Sequence, residues 1–199
     1  DGLAATGLEV LDVGVVPTPL LYFAVHEHSL DGGVMVTGSH NPPEYNGLKI
    51  VLDGETLSGD AIQAIRTRVE TQDYTVGEGT MRSVEIIPYY IRRVSEEIPV
   101  SLGKALKVVV DCGNSVPGIV APHILRASGH EVIELYCEVD GDFPNNHPDP
   151  SQPDNLIDLI QTVQDEDADL GLAFDGDGDR LGVVDTQGNI IWPDRQMIL

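Results

Sequence analysis

Lysine is scarce in this chain. It supplies three of 199 residues, within a basic total of 11 that faces 33 acidic residues. The resulting net charge of −22 repels nucleic acid and anionic membrane surfaces and argues against binders of either. Aromatic residues make up only 5% of the sequence. A buried core must therefore come mainly from Val, Ile, Leu and Ala, as parallel sheets flanked by helices prefer. Only two cysteines occur, Cys112 and Cys137, too few for a disulfide framework, and they read as reduced core residues. No apolar run approaches the ~20 residues needed to cross a bilayer, and no signal-peptide pattern opens the sequence. The expected compartment is the cytoplasm. We read the acidity as an adaptation of the solvated surface that says little about chemistry.

Against this acidic background one run is ordered. Residues 174–180 read Phe-Asp-Gly-Asp-Gly-Asp-Arg. Asp175, Asp177 and Asp179 can converge on one point, and the intervening glycines remove the Cβ atoms that would hinder this. Three oxygen ligands suit a hard divalent cation, with Mg²⁺ the expected ion. They leave coordination positions for water or a phosphate oxygen, as at phosphoryl-transfer sites. Arg180 adds a fixed charge able to grip phosphate bidentately. An EF-hand would require Gly and Glu where Arg180 and Thr186 stand, so that reading is rejected. An ordinary acidic turn, such as Asp140-Gly141-Asp142, is the plain alternative. The apolar runs Leu170–Phe174 and Leu181–Val184 place the loop instead at a strand end, where open α/β sheets keep ligands.

The second informative stretch is Val-Met-Val-Thr-Gly-Ser-His-Asn-Pro-Pro-Glu-Tyr-Asn-Gly-Leu-Lys-Ile, residues 34–50. A short strand ends at Gly38, and Pro42 and Pro43 forbid helix beyond it. Ser39 is thus presented at a strand end, with His40 and Asn41 beside it and Lys49 ten residues on. A loop serine is usually a turn or cap residue. A hydrolase elbow is excluded, because Thr37 and Asn41 stand where glycines would be needed.

The coarse pattern is alternating strand and helix. Strands are expected at Val10–Val16, Val34–Thr37, Leu48–Leu52, Val108–Asp111, Val132–Tyr136, Leu170–Phe174, Leu181–Val184 and Ile190–Ile191. Helices are expected at Leu20–His28, Ala61–Glu70, Ile86–Ile98, Gly118–Ala127 and Leu156–Gln164, with a turn at Pro17–Pro19. Residues 71–82 read as a linker or exposed turn. Residues 141–153 read as a long loop, in which His147 is expected to lie in a surface turn. Parallel βαβ units follow from the alternation.

These residues carry a resemblance. Thr-Gly-Ser-His-Asn-Pro-Pro-Glu-Tyr-Asn-Gly-Leu-Lys-Ile (37–50) resembles the phosphoserine loop of the α-D-phosphohexomutases, and Asp-Gly-Asp-Gly-Asp-Arg (175–180) resembles their metal loop. Asp-Cys-Gly-Asn-Ser-Val-Pro-Gly (111–118) and Asp-Gly-Asp-Phe-Pro-Asn-Asn-His-Pro-Asp-Pro (140–150) match the same family, most closely its bacterial phosphomannomutase/phosphoglucomutase branch. The match departs at Ser115, where the family usually has glycine. The resemblance implies an α/β fold of repeated three-layer αβα domains with mixed, mostly parallel sheets, here as part of a four-domain enzyme. Residues 1–82 would be the later part of domain I, 83–188 domain II, and 189–199 the start of domain III. The first domain would then expose an unpaired sheet edge and part of its core.

The resemblance also implies the chemistry. Ser39 would be carried as a phosphoserine and would ligate Mg²⁺ through its phosphate, alongside Asp175, Asp177 and Asp179. Its phosphoryl group would pass to a hexose monophosphate, mannose or glucose. The hexose 1,6-bisphosphate so formed also serves as activator, and its return of phosphate would interconvert the 6- and 1-phosphates. His40 would be the general base with Lys49 assisting, and Arg180 and Asn41 would contact phosphate or substrate. A monomeric full-length enzyme is expected. Mg²⁺, Lys49 and Arg180 would reverse the local sign of an otherwise repellent surface. Two alternatives stand beside it: a phosphoglucosamine mutase, and a noncatalytic acidic metal-binding module. The latter explains the aspartates but not Ser39, His40 and Lys49.

Overall fold

The computed structural model describes residues 1–42, 44–97 and 104–198. Pro43 and Ile98, the last residue of an expected helix, lie outside them. The chain opens with β1 (Glu9–Asp12), α1 (Thr18–Glu27), β2 (Gly32–Val36), β3 (Leu48–Leu52), β4 (Glu55–Thr56) and α2 (Asp60–Glu70). It continues with β5 (Thr80–Ser83), α3 (Ile87–Glu97), β6 (Lys107–Asp111), α4 (Ala121–Ala127) and β7 (Glu131–Leu135). The last elements are α5 (Ile157–Asp165), β8 (Leu170–Phe174), β9 (Leu181–Val184), β10 (Ile190–Ile191) and α6 (Pro193–Gln196).

The larger sheet runs β10-β9-β8-β6-β7. Alternation along β6 shows why both of its faces are covered. Val109 packs with Leu159 and Val163 of α5, whereas Val108 and Val110 pack toward Ala121 and Leu125 of α4. A strand buried on both sides reads as a continuous apolar run, as Val108-Val109-Val110 does. This unit has the expected three layers.

Its pairing is more mixed than expected. β6 pairs in parallel with β7 and β8, but β8–β9 and β9–β10 are antiparallel. The β8–β9 connection is residues 175–180 alone, and so short a link permits only a hairpin, since a parallel return needs a crossover of a dozen residues or more. Ile190–Ile191, read in the sequence as the start of a third domain, pairs with β9 at the edge of this sheet.

The first unit is thinner. β2, β3 and β4 form an antiparallel sheet, and Val51 packs on Leu21 and Val25 of α1. On the opposite face Val36, Leu48 and Leu52 are exposed, and β2 is an edge strand among the described residues. β1 is shorter than the expected Val10–Val16 strand. The Asp12 carboxylate accepts the Gly14 N–H at 2.9 Å, and Gly14 turns the chain at φ +74°. The linker reading of 71–82 also fails at its end, where β5 pairs in parallel with β1. Thr80-Met81-Arg82-Ser83 is exposed throughout and shows no apolar alternation, so main-chain pairing alone makes it a strand. The Pro17–Pro19 turn proves to be the first turn of α1, where proline costs no hydrogen bond.

The two units share an apolar seam. Leu20 and Ala24 of α1 cluster with Ile86 and Val120, and Phe23, Tyr89, Tyr90, Ile91 and Ile124 pack around them. Phe23 meets Tyr90 edge-on, with ring centroids 5.0 Å apart. The phosphoserine-like loop of one unit is thereby set against the aspartate loop of the other.

Candidate active site

The β8–β9 hairpin turns sharply because the Asp175 carboxylate caps it. Its Oδ1 accepts the main-chain N–H groups of Asp179 and Arg180, each at 3.0 Å. Gly178 sits at φ +75°, a conformation that disfavours a side chain, and a Cβ there would lie 2.9 Å from Pro117 and 3.2 Å from Pro17. The three aspartates offer oxygens within 4.8 Å of one another. Asp175 and Asp177 are buried, whereas Asp179 is exposed.

Lys49 on β3 reaches across to this cluster. Its Nζ donates to Asp177 Oδ2 and Asp179 Oδ2, both at 2.5 Å. Thr18, fully buried at the start of α1, donates its hydroxyl to Asp177 Oδ2 at 2.6 Å. Its N–H donates to the Asp177 carbonyl at 2.8 Å. Among the described residues, Asp177 Oδ1 is buried without a partner. A buried carboxylate oxygen with nothing to accept is costly, and an all-oxygen cluster around it fits a hard divalent cation.

The charges reflect these surroundings. Burial pushes the Asp175 carboxyl up to about 6, with the neighbouring Asp177 and Asp179 charges adding to it and the Arg180 N–H opposing it. Burial also disfavours the Asp177 charge, but hydrogen bonds from Lys49 and Thr18 outweigh it and hold that carboxyl below the usual carboxylate range. Burial of Lys49 is likewise outweighed, by the bonds and charges of Asp177 and Asp179, so its ammonium is held above the ordinary lysine value.

Ser39 lies directly over the hairpin in a left-handed conformation, φ +54°, uncommon for a residue with a side chain. Its N–H donates to Thr37 Oγ1 at 2.8 Å. Its hydroxyl is 3.3 Å from Asp175 Oδ2 and 3.2 Å from His40 Nδ1. His40 Nε2 lies 3.4 Å from an Arg180 guanidinium nitrogen. Because arginine can only donate, the network fits one order: Arg180 to His40 Nε2, His40 Nδ1–H to Ser39 Oγ, and Ser39 O–H to Asp175. Behind the hairpin, an apolar cavity of about 160 Å³ lies between Pro17, Leu20, Tyr90, Leu172 and Gly178.

Comparison with known proteins places this arrangement. Residues 88–188 match the family model described as phosphoglucomutase/phosphomannomutase, alpha/beta/alpha domain II, and residues 1–76 match that of domain I. The chain belongs to the phosphoglucomutase/phosphomannomutase family. It is 56% identical over 198 residues to a phosphomannomutase/phosphoglucomutase of Pseudomonas aeruginosa, covering 100% of this chain and 42% of that protein. It is 48% identical over 200 residues to a phosphoglucomutase of Neisseria gonorrhoeae, covering 100% of this chain and 43% of that one. A solved phosphoglucomutase/phosphomannomutase family protein from Burkholderia thailandensis superposes with a TM-score of 0.94 at 45% identity, over 100% of this chain and 44% of that chain. The chain thus spans less than half the length of these relatives.

The fold brings Ser39, His40, Lys49, Arg180 and the three aspartates into one cluster, although the two loops are 136 residues apart at the Ser39–Asp175 contact. The Asn41 side-chain amide donates to the Gly38 carbonyl at 2.9 Å and closes the loop on itself. Ser115, the departure from the family pattern, needs no glycine, since its backbone is extended at φ −113°. Its hydroxyl donates to the Cys112 carbonyl and lies 3.5 Å from that of Asp175.

Sequence reasoning missed Thr18, whose one visible signal was a polar residue between two prolines. It missed the role of Gly176, where a Cβ would fall 2.1 Å from the Ser39 carbonyl. It also misplaced His147, whose Nε2 contacts the His40 carbonyl and so lies against the serine loop instead of in a free surface turn.

Proposed function

We propose that the full-length protein is a phosphohexomutase that interconverts hexose 6-phosphates and 1-phosphates, of mannose, glucose or both, through a phosphoserine at Ser39. The observation that supports it most is the placement of the Ser39 hydroxyl 3.3 Å from Asp175, inside a cluster that also holds His40, Lys49 and Arg180. A noncatalytic metal module would have no use for that convergence.

In this reading phosphoryl is carried on Ser39 Oγ. The bond from phosphorus to the serine oxygen breaks as one forms to a hydroxyl oxygen of the hexose monophosphate. The hydroxyl proton passes to His40 Nε2 as the Arg180 guanidinium turns to the phosphoryl oxygens, and the His40 Nδ1–H passes to Ser39 Oγ, with the Lys49 ammonium assisting by its charge. The reverse transfer from the other end of the hexose 1,6-bisphosphate restores the phosphoserine. Such transfers depend mostly on in-line positioning and charge neutralisation. Asp175, Asp177 and Asp179 would hold Mg²⁺, which when bound supplies positive charge to the phosphoryl oxygens. Lys49 and Arg180 supply further positive charge, which the acidic surface does not. Added hexose 1,6-bisphosphate would act as activator by loading the serine. The protein is proposed to work as a monomer in the cytoplasm, away from nucleic acid and membranes. Among the described residues, no helix is long and apolar enough to cross a membrane.

The test is intact mass and peptide mapping of the full-length protein before and after phosphatase, with assays on mannose, glucose and glucosamine 6-phosphates. One labile phosphate on Ser39 and turnover of the first two sugars are expected. Phosphate found only elsewhere would sink the assignment, and a preference for glucosamine 6-phosphate would move the protein to another branch.

A further inference from the structure

The Pro/Asn-rich loop of the second unit touches both reacting loops. The Pro148 carbonyl accepts the Gly176 N–H at 3.1 Å, which fixes this loop to the aspartate hairpin. One residue earlier, His147 Nε2 meets the main-chain carbonyl of His40 in the first unit. The His147 ring is itself placed by Phe143, edge-on with centroids 6.4 Å apart. Pro148 is backed by Gly113, where a Cβ would lie 3.0 Å away. The loop is therefore braced from behind and projects one donor onto the serine loop.

That donor reaches a loop closed at its base by the Thr37 N–H to the Gly47 carbonyl, 3.0 Å, and further on by the Tyr45 N–H to the Pro42 carbonyl, 2.9 Å. Ser39 holds a left-handed φ of +54°, and such conformations persist only where surrounding contacts over-determine them. Within its own loop the Ser39 N–H is tied only to Thr37, and Asn41 closes the turn onto Gly38. From the second unit, the His147–His40 contact is the main-chain bond to this loop among the described residues, beside the close approach of Gly176 to the Ser39 carbonyl.

We propose that His147 is a positioning residue: its Nε2–H tethers the His40 carbonyl, and so keeps Ser39 and His40 aligned over Asp175 for phosphoryl transfer. This rests on Ser39 being the phosphoryl carrier. His147 does not touch substrate and exchanges no proton. It acts through the main chain it holds.

The experiment compares wild-type full-length protein with His147→Leu and His147→Gln. Leucine fills the space without a donor, whereas glutamine places an amide N–H close to the position of Nε2. The expected result is a kcat on the order of 10- to 100-fold lower for the leucine variant, with KM within about threefold, as a misplacement of about an ångström would give. Glutamine should recover most of that loss. Hydrogen–deuterium exchange across residues 37–47 should rise in the leucine variant and stay near wild type in the glutamine variant, with both melting within a few degrees of wild type. A leucine variant unchanged in turnover and exchange overturns the proposal. So does a glutamine variant as impaired as leucine, or a leucine loss that follows global unfolding. Were wild-type protein to show no mutase turnover, the functional reading would fall, and exchange in residues 37–47 would by itself decide for or against the tether.

Discussion

Replacing Thr18 by Val removes one hydroxyl and leaves the shape. The hydroxyl lost is the 2.6 Å donor to Asp177 Oδ2, while the Thr18 N–H to the Asp177 carbonyl, 2.8 Å, remains. The hairpin therefore stays anchored and only the carboxylate loses a restraint. A hydrogen bond to a charged group contributes about 1.5–3 kcal/mol. Thr18 and Lys49 both hold Oδ2, which leaves Oδ1 buried and unpaired as the atom presented to a cation. Groups that orient a metal ligand in this way are worth about 10- to 100-fold in metal affinity, or roughly 1.4–2.8 kcal/mol. We expect Thr18→Val to weaken Mg²⁺ binding by that factor, measured by titration calorimetry on the full-length protein. Thr18→Ser, which keeps the hydroxyl, should stay within about threefold of wild type. Equal Mg²⁺ affinity in wild type and the valine variant would refute the reasoning. A serine variant as weak as valine would show that packing matters there and the hydroxyl does not.

Gly176→Ala would force a Cβ to within 2.1 Å of the Ser39 carbonyl, so the two loops must part. Overpacking of this kind costs about 1–3 kcal/mol, but the loss in turnover should be larger, on the order of 100-fold; parallel melting and activity assays check both. Asp111 is 3% exposed, and burial pushes its carboxyl from the ordinary 3.8 up to about 6, against a hydrogen bond from Gly113. A raised carboxyl favours the folded state when protonated, so this contribution is full below about pH 4 and is lost as pH rises through about 6. The stability difference between wild type and Asp111→Asn should shift by roughly 2 kcal/mol in favour of the variant from pH 4 to pH 7. Urea unfolding at both values measures it, and a constant difference would contradict the burial argument.

Much of the site was legible because its residues are close in sequence. Aspartates at alternate positions with glycines between them have few other uses, and the bounding apolar runs marked a strand end. The antiparallel hairpin was equally implied by the short 175–180 link but was obscured by the βαβ rhythm around it. What stayed hidden depends on partners far along the chain. Thr18 bonds a residue 159 positions away, and His147 one 107 away, and neither carries a local signature. β5 was hidden for a different reason. An exposed edge strand of Thr, Met, Arg and Ser has no face to bury, so hydrophobic periodicity says nothing about it.

The apolar seam formed by Leu20, Phe23, Ile86, Tyr90 and Ile124 bears on how this protein can be recombined. The serine arrives on one unit and the aspartates on the other, yet their spacing is set by side chains from both. A hybrid that takes residues up to Val76 from one family member and the rest from another would join two halves of a lock cut for different keys. Its serine and aspartates could all be intact while the gap between them was wrong. Exchange should succeed when α1, α3 and α4 travel together, which makes these helices, and not the ends of the two sheets, the natural unit of inheritance for the site.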